Sequence, residues 1–553
     1  MPRFFSALLL GFLGCASSIW AQPTDSVVVS GRIRNLTPAL YRSAPQVIIT
    51  RSNVLQASQE LARPAPIQPD GRFRVSMPLT YPLEEMTFNF GQVATAFLAA
   101  PGALTIDLDA DSLFVAAIPF RFGGINAQVN GQYAAYRAYQ ARTRPMLSGD
   151  KLVEQLAGRY DLRAHQYLTD EFARPFREFS RQQPPFPLLS RWVLGNARYD
   201  ALSFQLDKAL AQGGSVANFV KDTLRVDGST LLTAARATAY SRFGAYALQR
   251  YGQAQQRVTG SGLDVATIAS LLEQYGKRLT ADDRQRLQTY REKGSVRGQE
   301  LRYLNQLIER NTDTLQRLMS YELMIRELKK DYDSLTIDYL KGYVLASALP
   351  TLTAAYAGLL YQHIRPQIGD VRIGQSLDEL YGLAVKDSAR TQAANRLLSA
   401  TTGRALGLEV APGIFVTLDR NSSASALLNA LLRRNAGKVL YMVQWTPDED
   451  WGRRLAADVQ RLRDTFSARE FALVYVNADI IDRTAWLEYL VRNQLQGEHI
   501  YLYGSQLTES LSQIPALAQG PVYLIDRSGK FQRRSPALPD DWPKLIEQIR
   551  KLL

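Results

Sequence analysis

The sequence almost lacks cysteine, since Cys15 is the only one among 553 residues and lies in the N-terminal leader described below. A chain without further thiols cannot shuttle electrons through a cysteine pair of its own, because disulfide exchange requires an attacking thiolate and a resolving thiol. Histidine is almost as rare, and His165, His363 and His499 are far apart in the chain. Transition metals in proteins are usually held by several His and Cys ligands. We therefore expect no metal site and no cofactor.

Long apolar runs are confined to the N-terminus. Arg3, the apolar stretch 4–13 and the small-residue site that ends at Ala21 describe a secretory signal peptide over residues 1–21. In a competing interpretation, residues 12–15 resemble a bacterial lipobox, with Cys15 as the lipidated residue of an outer-membrane lipoprotein. No later segment contains the roughly 18 apolar residues that a membrane span requires. We expect a periplasmic or cell-envelope protein that touches the membrane only if Cys15 is lipidated.

The sequence also lacks long runs of one charge. Without Arg3 the mature chain keeps 64 basic and 52 acidic residues, a net charge of +12, and the two signs are mixed along it. The densest basic pair, Arg533-Arg534, is too short for a nucleic-acid-binding arm. We expect no nucleic-acid partner. With 46% hydrophobic residues, the chain has ample material for packed cores.

Residues 22–130 have the pattern of strands. Val27-Val28-Val29 is β-branched, and Pro69-Asp70-Gly71 supplies the backbone angles of a reversal. Similar strand patterns recur at 47–50, 73–76, 86–90 and 104–108. The region therefore predicts a small antiparallel β-sandwich.

Residues 131–400 are rich in helix-forming residues and show apolar positions three and four residues apart. Leu304 and Leu307 illustrate this spacing, and Leu315 and Leu318 repeat it after a break near residue 312. Such spacing is typical of helices that bury one face, so we predict a packed helical region. Residues 260–262 (Gly-Ser-Gly) are the best linker candidate within it, and the sequence leaves open whether the region is one domain or two.

Residues 404–553 alternate between apolar strands and helices. Strands are predicted at 439–445 and 471–476 with a helix at 451–466 between them, which describes a βαβ unit with parallel strands. A helix at 484–493, a hairpin over 522–533 and a helix at 542–553 follow. The predicted fold class is a multidomain α+β protein with an N-terminal β-sandwich, a helical middle and a C-terminal α/β domain.

This last region resembles the thioredoxin-like disulfide reductases of bacterial cell envelopes, the TlpA-like group. The resemblance covers about residues 407–553 and rests on the Ala-Pro segment 411–415, the strand start 437–440, Trp445 and Pro521. It implies that the C-terminal domain has a thioredoxin-like fold and that the Gly520–Pro521 bond can be cis. Residues 97–102 and 131–133 resemble parts of the β-domain that precedes the thioredoxin domain in many such proteins of the Bacteroidetes.

The resemblance fails at the redox site. The two family cysteines fall on Glu449 and Gly452, so the chain cannot be a functional disulfide oxidoreductase. Thr446, Pro447 and Glu449 fit a capping box, with threonine as N-cap, proline at the first helical position and glutamate three residues after the cap. The carboxylates of residues 448–450 suggest helix capping more strongly than a cation site, because no further oxygen ligands follow at calcium-binding spacing.

Three hypotheses follow for function. The first is an exported, redox-inactive thioredoxin-like protein that binds a protein or peptide partner in a groove formed by Trp445, Trp451 and Pro521. The second is an envelope enzyme of non-thiol chemistry, with a pair of carboxylates in the helical region. The third is a carbohydrate- or nutrient-binding component with an exposed aromatic platform.

Overall fold

The computed structural model describes residues 26–91, 93–113, 115–143, 149–156, 161–212, 226–255, 262–401, 403–447, 449–477, 479–513, 520–532 and 536–553. The predicted leader with Cys15, the first two residues of the predicted linker, Asp448 and the Arg533-Arg534 pair lie outside these residues. The predicted fold class is confirmed: the chain is a multidomain α+β protein with N-terminal β-sheets, a helical middle and a C-terminal region of sheet and helices.

Within the described residues, the N-terminal region contributes eight strands to two sheets. They are β1 (Ser26–Arg34), β2 (Gln46–Asn53), β3 (Gln56–Pro66), β4 (Arg72–Pro78), β5 (Leu83–Phe90), β6 (Val93–Ala99), β7 (Gly102–Asp109) and β8 (Phe120–Gly124), with a short helix α1 (Pro38–Ser43) after β1. One sheet has the order β4-β1-β7-β8 and the other β3-β2-β5-β6. Alternate side chains such as Val29, Ile49, Phe88 and Leu104 form one shared apolar core.

The expectation of a purely antiparallel sandwich is wrong at one position. Strand β1 pairs with β7 in parallel, with Val27 opposite Gly102 and Arg34 opposite Asp109. Between β1 and β7 the chain passes to the second sheet, returns as β4 antiparallel to β1, passes to the second sheet again and then returns as β7. Such a crossover is how parallel neighbours arise in a sheet, because a tight hairpin can only join antiparallel strands.

The middle of the chain is helical, with one short strand. Its helices are α2 (Ala127–Arg142), α3 (Gly149–Leu156), α4 (Leu162–Gln182), α5 (Pro187–Gln212), α6 (Ala234–Gln255), α7 (Val265–Tyr275), α8 (Ala281–Lys293), α9 (Gln299–Arg310), α10 (Thr312–Leu328), α11 (Ser334–Ala348), α12 (Ala354–Ile364) and α13 (Val371–Ala400). Strand β9 (Leu231–Leu232) lies between α5 and α6 and pairs in parallel with β5. The helical region therefore shares a sheet with the N-terminal strands.

Helix α13 connects all three regions. Its 30 residues span about 45 Å at the usual helical rise. Near its start, Ser376 O accepts a hydrogen bond from Asn53 Nδ2 at 2.9 Å, and Glu379 Oε1 lies 2.5 Å from Arg51 Nη2. Near its end, Leu398 is buried in the C-terminal core. The helix therefore ties the N-terminal sheet to the C-terminal domain.

The C-terminal region is one six-stranded sheet with helices. Its strands are β10 (Arg404–Ala411), β11 (Ile414–Asp419), β12 (Val439–Trp445), β13 (Phe471–Asn477), β14 (Gly497–Ile500) and β15 (Val522–Ile525). Its helices are α14 (Ala424–Arg434), α15 (Asp450–Asp458), α16 (Arg461–Thr465), α17 (Arg483–Arg492), α18 (Gly504–Gln513) and α19 (Trp542–Arg550). The strand order is β10-β11-β14-β13-β12-β15. Among the described helices, none is long and apolar enough to cross a membrane.

Strand β12 shows why this sheet is covered on both faces. Tyr441 and Val443 belong to one buried cluster, whereas Leu440 and Met442 belong to another. A strand that is apolar at every position buries both faces, because successive side chains point to opposite sides. Strands β11, β14, β13 and β12 are parallel, and β10 and β15 run antiparallel at the two edges. The helix predicted over 451–466 is two helices, α15 and α16.

Candidate functional site

The residues that sequence analysis selected in the C-terminal domain lie near one end of its sheet, where the parallel strands end at their carboxyl termini, and this end is called the carboxyl edge. The parallel strands β12, β13 and β14 all end there, and Trp445 at the end of β12 lies opposite Asn477 at the end of β13. The antiparallel strand β15 begins at the same edge, where Gln444 N donates to Pro521 O at 2.7 Å. In a sheet of this kind, the loops after the carboxyl ends are the usual place for a binding site.

The turn between β12 and α15 differs from the predicted capping box. Helix α15 begins at Asp450, so Glu449 occupies the N-cap position, and its side chain accepts no capping hydrogen bond. Strand β12 ends at Trp445, as predicted, but the helix begins later than the pattern of Thr446, Pro447 and Glu449 indicates. The turn is fastened instead by Arg453, whose Nη1 donates to Pro447 O at 2.5 Å.

Gly452, at the second family cysteine position, is held close to this turn. A Cβ atom built on Gly452 would lie 2.7 Å from Thr446 O and 3.1 Å from Thr446 N. Real Cβ atoms essentially never approach a backbone atom as closely as 2.7 Å. Position 452 therefore excludes a cysteine unless the turn opens.

We expect Gly452→Ala to lower the free energy of unfolding of the C-terminal region by about 1 to 3 kcal/mol, because the new methyl group overlaps the Thr446 backbone. Hydrogen exchange of peptides from residues 440–458 would measure the loss. The matched control is Gly382→Ala in α13, where nothing lies within 4 Å of the added Cβ. That helical control should stabilise by about 0.5 to 1 kcal/mol. A Gly452→Ala protein as stable as the control would contradict the close approach.

Trp445 is not part of an open groove. Its side chain is 1% exposed and packs against Tyr489 and Tyr475, with ring centroids 5.2 and 6.3 Å away. Within the described residues its indole Nε1 has no hydrogen-bond partner. The prediction that Trp445 lines a partner groove is therefore wrong for this conformation, because the side chain points into the core and is not accessible to a partner.

Two apolar side chains are exposed at the carboxyl edge. Trp451, in the first turn of α15, is 43% exposed, and Ile480, in the loop after β13, is 75% exposed. Ile480 Cδ1 also lies close to Gly504 at the start of α18, 3.3 Å from where a Cβ would be. Sequence analysis selected Trp451 but missed Ile480, because one apolar residue in a loop produces no periodic signal.

Asn477 fixes the loop that carries Ile480. This buried side chain donates from Nδ2 to Leu502 O at 2.8 Å and to Asp479 O at 3.1 Å. Its Oδ1 accepts from Leu502 N at 2.6 Å. One amide therefore ties the ends of two neighbouring strands together. A buried amide with several partners is costly to remove, so Asn477 anchors the backbone close to the exposed Ile480.

Pro521 is partly buried at the start of β15. The resemblance implies that the Gly520–Pro521 bond can be cis, but the described residues, which include both, contain no cis peptide bond. Gly520 adopts a φ of 159°, which is an extended conformation. The segment is held from within the sheet by Tyr523, whose hydroxyl donates to Gln444 Oε1 at 3.1 Å and also contacts Gly520 O.

The three histidines occupy separate places. His165 on α4 contacts Gln205, His363 lies in α12 and His499 lies in β14. The described ranges bring together no group of three or more His, Cys, Asp or Glu side chains that could hold a metal ion. Glu449 is exposed at the carboxyl edge, and Asp448 lies outside the described residues.

Two carboxyl groups meet where the N-terminal sheet contacts α5. Glu85 Oε2 accepts from Trp192 Nε1 at 2.8 Å and from Asn196 Nδ2 at 3.3 Å. Burial raises the pKa of Glu85. Part of the Asp200 side chain is exposed to solvent. The protein atoms packed around its carboxyl group and the charge of Glu85 raise its pKa to about 6. Raised carboxyl pKa values can mark acid–base sites. Here, however, Glu85 Oε2 already accepts hydrogen bonds from the Trp192 indole and the Asn196 amide, which is the arrangement of a structural contact between strand and helix.

In the part of the chain that the structure describes, the exposed aromatic side chains lie apart in sequence and on separate parts of the fold. Among the described residues, Tyr41 on α1, Phe186 before α5 and Trp451 on α15 are exposed, and each belongs to a different element. Many tyrosines are instead buried in the cores, including Tyr81, Tyr133, Tyr240, Tyr339, Tyr441 and Tyr475. This distribution weakens the carbohydrate-binding hypothesis, which requires adjacent exposed rings.

The chain matches no protein-family model and no curated protein. Among solved structures, part of it is similar to a protein of Bacteroides vulgatus assigned as a thiol-disulfide oxidoreductase. That alignment has 23% sequence identity and a TM-score of 0.19, and it covers 22% of this chain and 77% of the other. A thioredoxin domain of a thiol-disulfide oxidoreductase from the same organism aligns with 15% identity and a TM-score of 0.18, covering 22% and 82%. Similarity at this level supports no conclusion about activity.

Proposed function

We propose that this is an exported, redox-inactive thioredoxin-like protein of the cell envelope, which binds a segment of a partner protein without forming a covalent bond. The observation that carries the proposal is the composition of the carboxyl edge. Trp451 and Ile480 are exposed there, whereas Glu449 and Gly452 stand where the resemblance places two thiols. The carboxyl edge presents apolar contact area, and its sequence has no cysteine for thiol chemistry.

Exposed apolar side chains at a rigid edge favour binding. Covering apolar surface contributes roughly 25 cal/mol per Å², and tryptophan is among the residues that most often dominate interface energies. The close contact of Gly452 with Thr446 and the Asn477 hydrogen bonds fix the backbone next to both apolar side chains. Such preorganisation lowers the entropic cost of association.

A partner segment of extended conformation with apolar side chains fits this chemistry. Because the mature sequence has no thiol, capture would not depend on the redox state of either protein. Export is supported by the leader pattern of residues 1–21. The N-terminal residue of the protein isolated from native envelopes, Gln22 or a lipidated Cys15, would distinguish the secreted form from the lipoprotein.

Selection from a library of displayed 15-residue peptides, followed by fluorescence anisotropy with the selected sequences, would test the proposal. We expect Trp451→Ala with Ile480→Ser to weaken binding at least tenfold, because both side chains supply apolar contact area. Affinity should be the same with and without a reducing agent.

The matched control is Leu406→Ser, which also removes an exposed apolar side chain. Leu406 lies on β10, the outermost strand of the same sheet on the side away from β12 and β15. This variant should bind as the wild type does. Equal binding by the Trp451/Ile480 variant, with its fold intact by circular dichroism, would place the function elsewhere. Selection of no peptide at all would contradict the proposal directly.

A further inference from the structure

Three helices of the middle region meet at a chain of hydrogen bonds far from the carboxyl edge in sequence. Tyr275 ends α7, Glu322 lies in α10 and His363 lies in α12. The Tyr275 hydroxyl is 3.1 Å from His363 Nδ1, and His363 Nε2 is 2.7 Å from Glu322 Oε1. A hydroxyl, an imidazole and a carboxylate are therefore connected in series.

The carboxylate fixes the tautomer of the imidazole. The pKa of Glu322 is lowered, first by the hydrogen bond from His363, so this group stays ionised and can only accept. His363 Nε2 must then carry the proton that bonds to Glu322, which leaves the lone pair of a neutral ring on Nδ1. That lone pair accepts the O–H of Tyr275. This is the arrangement of nucleophile, base and orienting group that activates hydroxyl nucleophiles.

The imidazole has little freedom to move. The side chain of His363 is 8% exposed, and its ring is packed edge-on by Tyr275 and Tyr321, with centroid distances of 5.4 and 5.6 Å. Gln367 Nε2 donates to Glu322 Oε1 and to the backbone oxygen of His363, both at 3.1 Å. Tyr275 is partly exposed, so a reagent that reaches its hydroxyl meets a base that is itself enclosed.

We propose that Tyr275 is a nucleophilic hydroxyl, with His363 as its general base and Glu322 as the orienting carboxylate, and that it accepts an acyl group from an activated carboxylic ester. In this step Tyr275 Oη attacks the ester carbonyl carbon while its proton passes to His363 Nδ1. The ester C–O bond then breaks, the acyl group remains on Oη and the leaving oxygen takes the proton from Nδ1. No oxidant, metal or further reactant enters the balance.

The resting tyrosine is protonated in this site. Burial and the charge of Glu322 raise the pKa of Tyr275, so phenolate is scarce near neutral pH. Reactivity at neutral pH must therefore come from proton removal during the attack, which is the task of a positioned base.

The test is acylation by p-nitrophenyl acetate, with each modified tyrosine located by peptide mass spectrometry. Tyr361 is the matched control, because it is also partly exposed and its hydroxyl donates to a carboxylate, Asp378 Oδ1 at 2.7 Å, with no imidazole between them. We expect Tyr275 to be acylated at least tenfold faster than Tyr361. Equal rates would mean that the hydrogen bonds only join the helices, and would overturn the proposal.

Two further measurements separate a base from a purely structural contact. Glu322→Gln keeps a hydrogen-bond acceptor for His363 but removes the negative charge, and should slow acylation of Tyr275 at least tenfold while that of Tyr361 is unchanged. Wild-type rates against pH serve if this variant fails to fold. A rate that stops rising before the phenol itself ionises indicates a positioned base. A rate that rises tenfold per pH unit to above pH 9 indicates free phenolate and overturns the proposal.

Discussion

Replacing Arg51 with alanine should lower the free energy of unfolding at neutral pH by about 3 to 5 kcal/mol, the usual cost of breaking a buried ion pair from one side. The guanidinium lies between two carboxylates, 2.5 Å from Glu379 Oε1 and 3.6 Å from Glu84 Oε2. The side chains of Arg51 and Glu84 are only 3% and 1% exposed. Burial already raises the pKa of Glu84. Without Arg51 this carboxyl would have to stay charged with no cation beside it or take up a proton, and either change costs stability at neutral pH.

The effect should concentrate at the junction between the N-terminal sheet and α13. Arg51 lies in β2, Glu84 in β5 and Glu379 in α13, so one guanidinium joins two strands to the helix that continues into the C-terminal core. Hydrogen exchange of peptides from these three elements would measure the loss where it occurs. This local readout is needed because a chain of several domains does not unfold in one cooperative step.

The exposed pair Arg72–Asp70 in the same region is the matched control. Its side chains are 67% and 46% exposed, so Arg72→Ala should cost less than about 1 kcal/mol. Adding Glu84→Gln to Arg51→Ala should restore part of the stability, because it replaces the unpaired buried carboxyl group with a neutral amide. If Arg51→Ala cost no more than Arg72→Ala, the pairing of Arg51 with the buried carboxylate would be contradicted.

The fold class was predictable because it depends on local periodicity. Apolar residues at every second position predict strands such as β2 and β5. Leucines three and four residues apart predict helices α9 and α10. Strand β9 was not predictable, since Leu231-Leu232 is too short for any period, and its place is set by the strand it pairs with. The parallel pairing of β1 with β7 depends on the path of the chain between them.

The candidate site shows where local rules fail. Thr446, Pro447 and Glu449 satisfy the capping-box pattern, yet the helix begins at Asp450 and Glu449 stands at its N-cap without a capping hydrogen bond. Trp445 was placed correctly at the end of a strand, but its direction, into the core, follows from the alternation along β12 and from the helices that cover it. Sequence alone does not say which face of a doubly covered strand remains open.

The Tyr275–His363–Glu322 chain had no sequence signal at all. Tyr275 and His363 are 88 residues apart, and His363 and Glu322 are 41 apart. No local motif joins residues at such separations, so only the packing of α7, α10 and α12 brings them together. A lone histidine in a helix is ordinarily a satisfied core or surface residue, and the sequence offered no reason to treat His363 differently.

The second large effect concerns His499, which should make the C-terminal sheet sensitive to acid. Its side chain is fully buried in β14 and stacks on Tyr475 at 4.8 Å. Nε2 donates to Leu495 O at 2.6 Å, and within the described residues Nδ1 has no partner. Burial lowers the pKa of His499 from 6.5 to about 3. The folded state therefore excludes a proton that the unfolded state accepts.

The sign of the effect follows from proton binding. Between pH 6.5 and about 3 the unfolded chain binds more protons at this residue than the folded chain, so stability falls as the pH falls through that window. At 1.36 kcal/mol per pKa unit, the loss is roughly 3 kcal/mol by pH 4 and roughly 4 kcal/mol at pH 3. Well above pH 6.5 both states are neutral at His499, and no dependence is expected from it.

His499→Phe removes the titrating group while keeping an aromatic ring to stack on Tyr475. Near pH 7 this variant should be less stable than the wild type by about 1 to 3 kcal/mol, because Leu495 O loses its donor. The stability difference between wild type and variant should shrink as the pH falls from 6.5, so that the variant matches or exceeds the wild type near pH 4. Hydrogen exchange of peptides from β13 and β14 would measure both proteins, with His165→Gln in α4 as a control that leaves these peptides unchanged. A difference that stays constant from pH 7 to pH 4 would mean that His499 can be protonated inside the fold, and hence that the sheet opens there far more readily than its packing implies.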